Sequence, residues 1–327
     1  MNVSIVIPTW RGRHLLEAYL PSVVAASDYY QRKNGASTEI IIVEDAGGDD
    51  TVPWVRSNFG RQVTVIEHAE NQGFCGACQT GFDHARFPLV LLLNNDVRVE
   101  QNCILPFVRH FEDPKVFAVT GKMFNQKGDM FCNGGKVGRF RRGMWTSYQN
   151  YDVLPPAELD SSYLSFAAIG AFSMYDREKF LGIGGFEPLV SMYEDVELSY
   201  RAWKRGWVIK YEPRSVAYHD ASQSMKRRFT RRSLDKLSLR SRILMHWLLL
   251  HDWSMFGMHA ASMAGRLLAG WLWLDWPFYW AFVTGLKNIA EVRSKRDQNR
   301  KTAVRPDREV RRLLNQFYRT APITKGP

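Results

Sequence analysis

Cysteine is scarce in this 327-residue sequence, and the four that are present (Cys75, Cys78, Cys103 and Cys132) follow no regular spacing. Four irregularly placed cysteines are too few for a disulfide framework, so we expect a protein of a reducing compartment. Cys75 and Cys78 form a C-x-x-C pair, but neither a second pair nor a suitably spaced histidine accompanies it. The pair alone therefore does not predict a zinc or redox centre.

Several patterns typical of other protein classes are also missing. A G-x-x-x-x-G-K-[ST] loop is absent and no G-x-G-x-x-G turn follows the first predicted strand, which argues against P-loop and dinucleotide-binding proteins. The first residues do not combine a charged segment with an apolar one, so we expect no secretory signal and a cytoplasmic location. Charged residues and histidines interrupt every long apolar run, so a single membrane crossing is not predicted.

Net positive charge is missing from the first two-thirds of the chain and is concentrated in the last third. Residues 1–220 hold 23 Lys/Arg against 26 Asp/Glu, whereas residues 221–327 hold 21 against 7. Six of the 11 tryptophans lie between Trp247 and Trp280. A basic segment rich in tryptophan is typical of amphipathic helices at an anionic membrane surface. A helical interface between subunits is the alternative, and the two hypotheses stay open here.

Short apolar, β-branched runs alternate with segments of helical periodicity over the first hundred residues. Residues 3–7, 39–43, 63–66 and 88–93 are predicted as buried strands, with a helix at 73–86. Residues 120–165 are predicted as hairpins and loops, followed by a helix at 194–205 and a strand at 207–211. This order indicates an α/β fold with a doubly wound, mostly parallel, Rossmann-like sheet. We expect one domain at residues 1–224 and a basic helical appendage at 225–327.

Polar side chains follow three of the predicted strands: Thr9, Asp45 and Asp96. In a doubly wound sheet, ligands bind beyond the carboxyl ends of the strands. A nucleoside diphosphate requires an acceptor for a base N–H and a divalent cation held by few carboxylates, so that phosphate oxygens complete its shell. Asp45 suits the first task and Asp96 the second. Each could singly be a turn or helix cap, but their joint placement favours a nucleotide site.

Two adjacent carboxylates, Glu194 and Asp195, begin a predicted helix. The partial positive charge of a helix N-terminus stabilises ionised carboxylates. An ionised carboxylate there could act as a general base that removes a proton from an acceptor hydroxyl. The alternative is an ordinary acidic helix N-terminus.

Six motifs in the same order resemble those of the family 2 inverting glycosyltransferases with the GT-A fold. They cover roughly residues 3–224. The motifs are VSIVIPT at 3–9, IVED at 42–45, NQGF at 71–74 with Gly76, LLNND at 92–96, GGFE at 184–187 and EDVEL at 194–198 with Arg201. The NQGF and NND segments are most similar to the rhamnosyltransferase-like branch, whose donors are dTDP- or UDP-sugars.

The resemblance implies a role for each matching residue. Asp45 would contact the pyrimidine, Asp96 would bind Mg²⁺ or Mn²⁺, and Asp195, with Glu194 beside it, would be the catalytic base. Further contacts to the nucleotide-sugar are implied for Pro8, Thr9, Asn71, Gly73 and Asn95.

His219 resembles a late metal-binding histidine of the same family. The sequence departs from the family pattern in two places. Ser222 replaces the usual glycine of H-x-x-G-x-S, and Asn94-Asn95-Asp96 leaves one carboxylate where many relatives have two or three. A histidine satisfied within its own loop is the alternative for His219.

These observations together predict an inverting hexosyl- or deoxyhexosyltransferase, with rhamnose as one candidate sugar. The acceptor would be a hydroxyl of a glycan or of a lipid-linked glycan, and the tail would place the enzyme at the inner face of the membrane or join it into a homo-oligomer. Two other classes compete. One is a catalytically degenerate scaffold. The other is a nucleic-acid-binding protein, which is disfavoured because the tryptophans cluster with Leu and Met rather than with Lys and Arg.

Overall fold

The computed structural model describes residues 1–219 and 230–320. The strands are β1 Val3–Thr9, β2 Thr38–Glu44, β3 Val63–Glu67, β4 Leu89–Leu93, β5 Val97–Val99, β6 Val116–Asn125, β7 Phe131–Asn133, β8 Lys136–Arg141, β9 Met144–Gln149, β10 Tyr163–Leu164, β11 Phe172–Asp176 and β12 Val208–His219. The α-helices are α1 Arg13–Asn34, α2 Thr51–Phe59, α3 Gly73–His84, α4 Ile104–Val108, α5 Asn150–Val153, α6 Arg177–Ile183, α7 Glu194–Lys204, α8 Arg231–Leu249, α9 Trp253–Ala269, α10 Trp276–Leu286, α11 Ile289–Thr302 and α12 Asp307–Thr320. Short 3₁₀ helices span Arg109–Glu112, Pro156–Asp160, Pro188–Val190 and Gly270–Trp273.

One central sheet organises the molecule. Its main path runs in the order β10-β12-β6-β11-β4-β1-β2-β3, while β5 pairs with β12 and β7 with β6. Neighbours from β4 to β3 are parallel, β11 is antiparallel to both of its neighbours, and β12 is parallel to β6. The prediction of a mostly parallel α/β sheet with a C-terminal helical region is confirmed. Strands β8 and β9 form a separate hairpin.

Alternate residues of the parallel strands enter two hydrophobic cores, one on each face of the sheet. In β1, Ile5 and Ile7 belong to the core that also includes Leu16 and Leu20 of α1. Val6 belongs to the core that includes Phe82 of α3. Because successive side chains of a strand point to opposite faces, uninterrupted apolar runs are what a sheet covered on both faces requires.

Strand β6 differs from the sequence prediction, which gave hairpins and loops from residue 120. It continues through Gly121 and Lys122, two residues that weaken a strand pattern. Tertiary packing explains why the strand includes both residues. A Cβ on Gly121 would lie 2.3 Å from the Phe172 ring of the neighbouring strand, and the Lys122 ammonium pairs with Asp160.

The C-terminal helices are packed into the body of the molecule. Buried residues of α8 and α12, such as Leu248 and Leu314, belong to the same core as Phe82 of α3. Asp307, fully buried at the start of α12, accepts hydrogen bonds from Tyr200 and Lys204 of α7. The helices that follow residue 230 therefore support α7.

The two-domain division stays a prediction, because its boundary between residues 224 and 225 lies outside the described residues. The basic run at 226–228 also lies outside them. Within residues 1–219 and 230–320, no helix combines the length and apolarity required to cross a membrane.

Candidate active site

The first part of the candidate site lies at the carboxyl ends of β1 and β4. Thr9 ends β1 and is buried, with Pro8 before it in register with Val43 of β2. The side-chain amide of Asn95, just after β4, donates to Thr9 Oγ1 at 2.7 Å. Gly12 lies against this pair, since a Cβ there would be 2.0 Å from Thr9 Oγ1. Gly12 carries no signal in the sequence alone, because its close contacts include Asn95 Nδ2, 2.5 Å from that Cβ, and the Asn95 side chain reaches Gly12 only when β4 lies beside β1.

Asp45 is a buried carboxylate that holds the turn before α3. Its Oδ1 accepts from Gln72 N and its Oδ2 from Gly73 N, both at 2.8 Å, where Gly73 has a left-handed φ of 74°. His68 Nδ1 lies 2.8 Å from Asp45 Oδ1. The exposed Asn71 side chain donates to the Asp45 carbonyl oxygen. The residues predicted to meet the nucleotide base are therefore joined by hydrogen bonds into one rigid turn.

Asp96 and His219, which are 123 residues apart in sequence, lie side by side. The distance between Asp96 Oδ1 and His219 Nε2 is 3.1 Å, and the two side chains are 8% and 12% exposed. Burial by itself would lower the pKa of His219, but hydrogen bonds and charge from Asp96 and Cys132 outweigh burial and raise that pKa to about 9. The strand pairing of β5 with β12 produces this contact, because it sets Val97 opposite His219.

The fit of a divalent cation can be judged from this pair. One carboxylate and one imidazole are two protein ligands, which suits a cation whose remaining positions are filled by diphosphate oxygens and water. Among the described residues, no cluster of three or more His, Cys, Asp or Glu side chains offers a complete protein-only metal site. The residues present therefore fit a cation that is bound together with its nucleotide.

Asp195 lies at the N-terminus of α7 and is only partly exposed. Its carboxylate accepts a hydrogen bond from the backbone N–H of Val196 at 2.8 Å, and the backbone N–H of Gly170 also favours its ionised form. Burial raises the pKa of Asp195, while the charge of Lys136 and these amides oppose the increase. The carboxylate is thus held in one orientation by backbone donors.

Glu194 is more deeply desolvated than its position in sequence suggests. Its Oε2 is buried and, among the described residues, has no hydrogen-bond partner. Burial, followed by the charge of Asp195, raises the pKa of Glu194 to about 7. The two adjacent carboxylates therefore differ in environment, because Oε2 of Glu194 has no partner among the described residues, although the backbone N–H groups of Met192, Tyr193 and Glu194 oppose the increase in its pKa.

A short path of contacts connects the two parts of the site. Asn94 N, in the segment that carries Asp96, donates to Ala171 O at 3.1 Å. The backbone N–H of the preceding residue, Gly170, lies close enough to the Asp195 carboxylate to lower its pKa. The Asn-Asn-Asp segment and the N-terminus of α7 are therefore neighbours at one edge of the sheet.

The glycine-rich segment before α7 is held by Arg201. Its guanidinium donates to the carbonyl oxygens of Ile183 and Gly185 and pairs with Glu197 at 2.7 Å. The Phe186 ring in turn contacts the Phe74 ring at the start of α3, with centroids 5.6 Å apart. Motifs that are far apart in sequence thus pack together around the candidate base.

Lys136 is a second residue of the site that the sequence analysis missed. It begins β8, and its ammonium donates to Asn133 Oδ1 and Gln149 Oε1, both at 2.8 Å. Burial lowers the pKa of Lys136 to about 8, although the charges of Asp195 and Asp152 oppose the decrease. No local motif marked Lys136, because its position near Asp195 results from the fold of the β8–β9 hairpin.

This architecture, with carboxylates at the ends of parallel strands, is of the GT-A type. Residues 4–181, more than half of the chain, match Glycosyl transferase family 2. The chain belongs to this family.

Individual relatives are distant. The chain is 24% identical over 223 residues to the poly-β-1,6-N-acetyl-D-glucosamine synthase of Staphylococcus aureus, a match that covers 66% of this chain and 49% of the relative. It thus spans about half the length of the curated relatives it matches.

Solved structures share the fold at low sequence identity. GalNAc-T7 with UDP, GalNAc and Mn²⁺ has a TM-score of 0.58 at 19% identity, over 81% of this chain and 51% of that one. The mannosyltransferase PcManGT of Pyrobaculum calidifontis, in complex with GDP-Man and Mn²⁺, has a TM-score of 0.53 at 17% identity, over 96% and 87%. The rhamnosyltransferase-like branch is not confirmed by these relatives.

Proposed function

We propose that this glycosyltransferase inverts the anomeric centre as it moves a hexose or deoxyhexose from a dTDP- or UDP-sugar to a hydroxyl of a glycan or lipid-linked glycan. The observation that carries the proposal is the path from the Asp96 segment through Gly170 to the Asp195 carboxylate. Inverting transfer requires a base on the acceptor side and a stabilised diphosphate on the other side. The two parts of the site suit these two tasks.

In this mechanism Asp195 accepts the proton of the attacking hydroxyl. The backbone amides of Gly170 and Val196 orient the carboxylate, so that one of its oxygens can face the acceptor. A divalent cation held by Asp96 and His219 would neutralise the charge of the departing diphosphate. The presence of Mn²⁺ in the structures of GalNAc-T7 and PcManGT supports the use of such a cation.

The turn that Asp45 forms with Asn71 and Gly73 is the basis for the proposed donor class. This turn, with Thr9 and Asn95 beside it, would receive the base and ribose. The relatives leave the sugar open, because their names include N-acetylglucosamine, GalNAc and mannose. Rhamnose remains one candidate among these hexoses.

A screen of nucleotide-sugars by thermal unfolding tests the donor class. We expect UDP- or dTDP-sugars with Mn²⁺ to raise the melting temperature more than GDP-sugars do. A ligand at a hundredfold excess over its dissociation constant adds about 2.7 kcal/mol to the free energy of unfolding. Stabilisation by GDP-sugars alone would contradict the pyrimidine proposal.

Lys136 is expected to act through Asp195 rather than on the substrate. Replacing Lys136 by Met removes a positive charge and so raises the pKa of Asp195 further. The acidic limb of the pH–rate profile should then move to higher pH by about one unit or more. Lys136→Arg keeps the charge and should leave that limb in place.

Several groups close to Asp195 influence its pKa and therefore the pH–rate profile. They are Lys136 of β8, the backbone N–H of Gly170, and Glu194, Tyr193 and Tyr175. If Lys136→Met lowers turnover equally at every pH, Lys136 has a structural role and the electrostatic one is wrong.

A further inference from the structure

The turn between α9 and α10 exposes a group of large apolar side chains. We name residues 268–276 the hairpin tip. Its exposed members, with the exposed fraction of each, are Leu268 (78%), Trp271 (59%), Leu272 (58%), Trp273 (75%), Leu274 (66%) and Trp276 (59%). Monomeric proteins rarely leave so many large apolar side chains together in water, so the tip indicates a binding surface.

The tip differs from the rest of the C-terminal helices. Helices α8, α11 and α12 contribute residues such as Leu248, Val292 and Leu314 to the main core. Helix α9 adds Met255 at its start to the main core, and a smaller cluster nearer the tip, including Met263 and Phe278, packs α9 and α10 against Met144 of β9. The apolar side chains of the tip are therefore not required for the core.

Specific contacts hold the tip in shape. Arg266 of α9 pairs with Asp275, and Tyr279 Oη of α10 donates to Leu267 O at 2.9 Å. Trp271 Nε1 donates to Leu268 O, and Leu274 turns the chain with a left-handed φ of 53°. The exposure of the tip is thus a property of the folded hairpin.

The geometry of the hairpin tip favours lipid over a protein partner. A 3₁₀ helix has three residues per turn, so the side chains of Trp271, Leu272 and Trp273 project about 120° apart. A protein partner would need a socket that surrounds all three, and the flat face of a symmetric dimer would cover only some of them. Lipid can close around a protruding tip from every side.

The residue types and charges around the hairpin tip also favour lipid as its occupant. Tryptophan is enriched at the boundary between headgroups and acyl chains. Asp275 is the only acidic residue between positions 253 and 287, and it is paired with Arg266. Lys236 lies beside the Trp280 ring of α10, one turn from the tip, with its Nζ 6.0 Å from the ring centroid. An apolar tip with a lysine one turn behind it and its one acidic residue paired suits an anionic bilayer.

We propose that the hairpin tip inserts into the headgroup region of a membrane that contains anionic lipid. The inference deepens the proposed function, and rests on it for the lipid-linked acceptor, because it names the part of the molecule that brings the site to a membrane surface. Binding to vesicles is measured without donor or acceptor, so either proposal can fail alone.

The test compares a double variant with a single-residue control in the full chain. Leu272→Ser combined with Trp273→Ser alters the tip, whereas Trp253→Ser alters a tryptophan that is 80% exposed at the other end of α9. Leu268, the first residue of the tip, is 15 positions after this control along α9, a distance of about 22 Å. Partition is measured by cosedimentation with phosphatidylcholine vesicles, with and without phosphatidylglycerol.

We expect the unmodified protein to bind the phosphatidylglycerol vesicles and the tip variant to bind at least about tenfold more weakly, because two large apolar side chains no longer enter the bilayer. The Trp253→Ser control should bind like the unmodified protein. All three proteins should show the same thermal stabilisation by nucleotide-sugar. Lost vesicle binding with retained donor binding would separate the tip from the active site.

Three outcomes would overturn the inference. The unmodified protein could stay in the supernatant, or the tip variant and the control could lose binding equally. Alternatively, sedimentation velocity could show an oligomer that only the tip variant dissolves, which would make the tip a surface for self-association. Vesicle binding without any nucleotide-sugar binding would instead contradict the proposed function and leave the lipid inference standing.

Discussion

Replacement of Asp195 by Asn is expected to lower turnover by about a hundred- to ten-thousand-fold, because general-base catalysis contributes this much. The amide keeps the shape of the carboxylate, and its one oxygen can still accept the hydrogen bond from Val196 N. The Asn side chain cannot take up the proton of the attacking hydroxyl at neutral pH. Initial rates of sugar transfer and the dissociation constant of the nucleoside diphosphate, measured on the same preparation, check the prediction.

Glu178→Gln is the matched control for this change. Glu178 is also an acidic residue in the first turn of a helix, α6, but it is exposed. Both variants lose the same helix-dipole interaction, so only Asp195→Asn should lose turnover. Transfer at a near-normal rate in Asp195→Asn would make Asp195 a helix-terminal residue and remove it from the mechanism.

Asp96→Asn is expected to weaken metal-dependent binding of the nucleoside diphosphate by about a hundredfold or more, since loss of even an outer-shell partner of a metal costs ten- to a hundredfold. Binding of the bare nucleoside should hardly change, because no phosphate is present for a cation to bridge. His219→Ala should show the same pattern more mildly. Calorimetric titrations with and without Mn²⁺ give these affinities directly.

Asp113→Asn serves as the control for the metal prediction. Asp113 precedes β6 at the amino edge of the sheet, on the side opposite Asp96, and is partly exposed beside Lys210. Its replacement should change neither affinity. An equal loss for nucleoside and diphosphate in Asp96→Asn would indicate local collapse around Thr9 and Asn95 instead of a metal role.

The parallel half of the sheet could be predicted because its signals are local. Each strand from β1 to β4 is a short apolar run, and Thr9, Asp45 and Asp96 follow directly at the strand ends. The proximity of Thr9 and the Asn95–Asp96 pair then follows from the parallel pairing of β1 with β4. Conversely, β6 was not predicted, and its residues from 120 onward were expected in hairpins and loops, because Gly121 and Lys122 belong in a strand only when Phe172 and Asp160 are already beside them.

Some residues of the candidate site could likewise be predicted from the sequence, whereas others could not. The resemblance of their motifs assigned Asp96 and His219 separately to metal binding, and in the structure the two side chains lie 3.1 Å apart. Gly12 and Lys136 carried no such signal. Gly12 is defined by the close approach of Thr9 together with Asn95, which follows β4, and Lys136 by a hairpin that brings its ammonium near Asp195.

By itself the sequence determined the class of fold, the order of the motifs and the family, because each depends on residues that are neighbours along the chain. It also located the basic and tryptophan-rich composition of the C-terminal region. Only the tertiary structure decided that α8 and α12 pack into the main core, with Asp307 against Lys204 and Tyr200, while the hairpin tip stays outside. Buried and exposed apolar residues are of the same types. Long-range contacts distinguish them, because these contacts cover one set and leave the other in solvent.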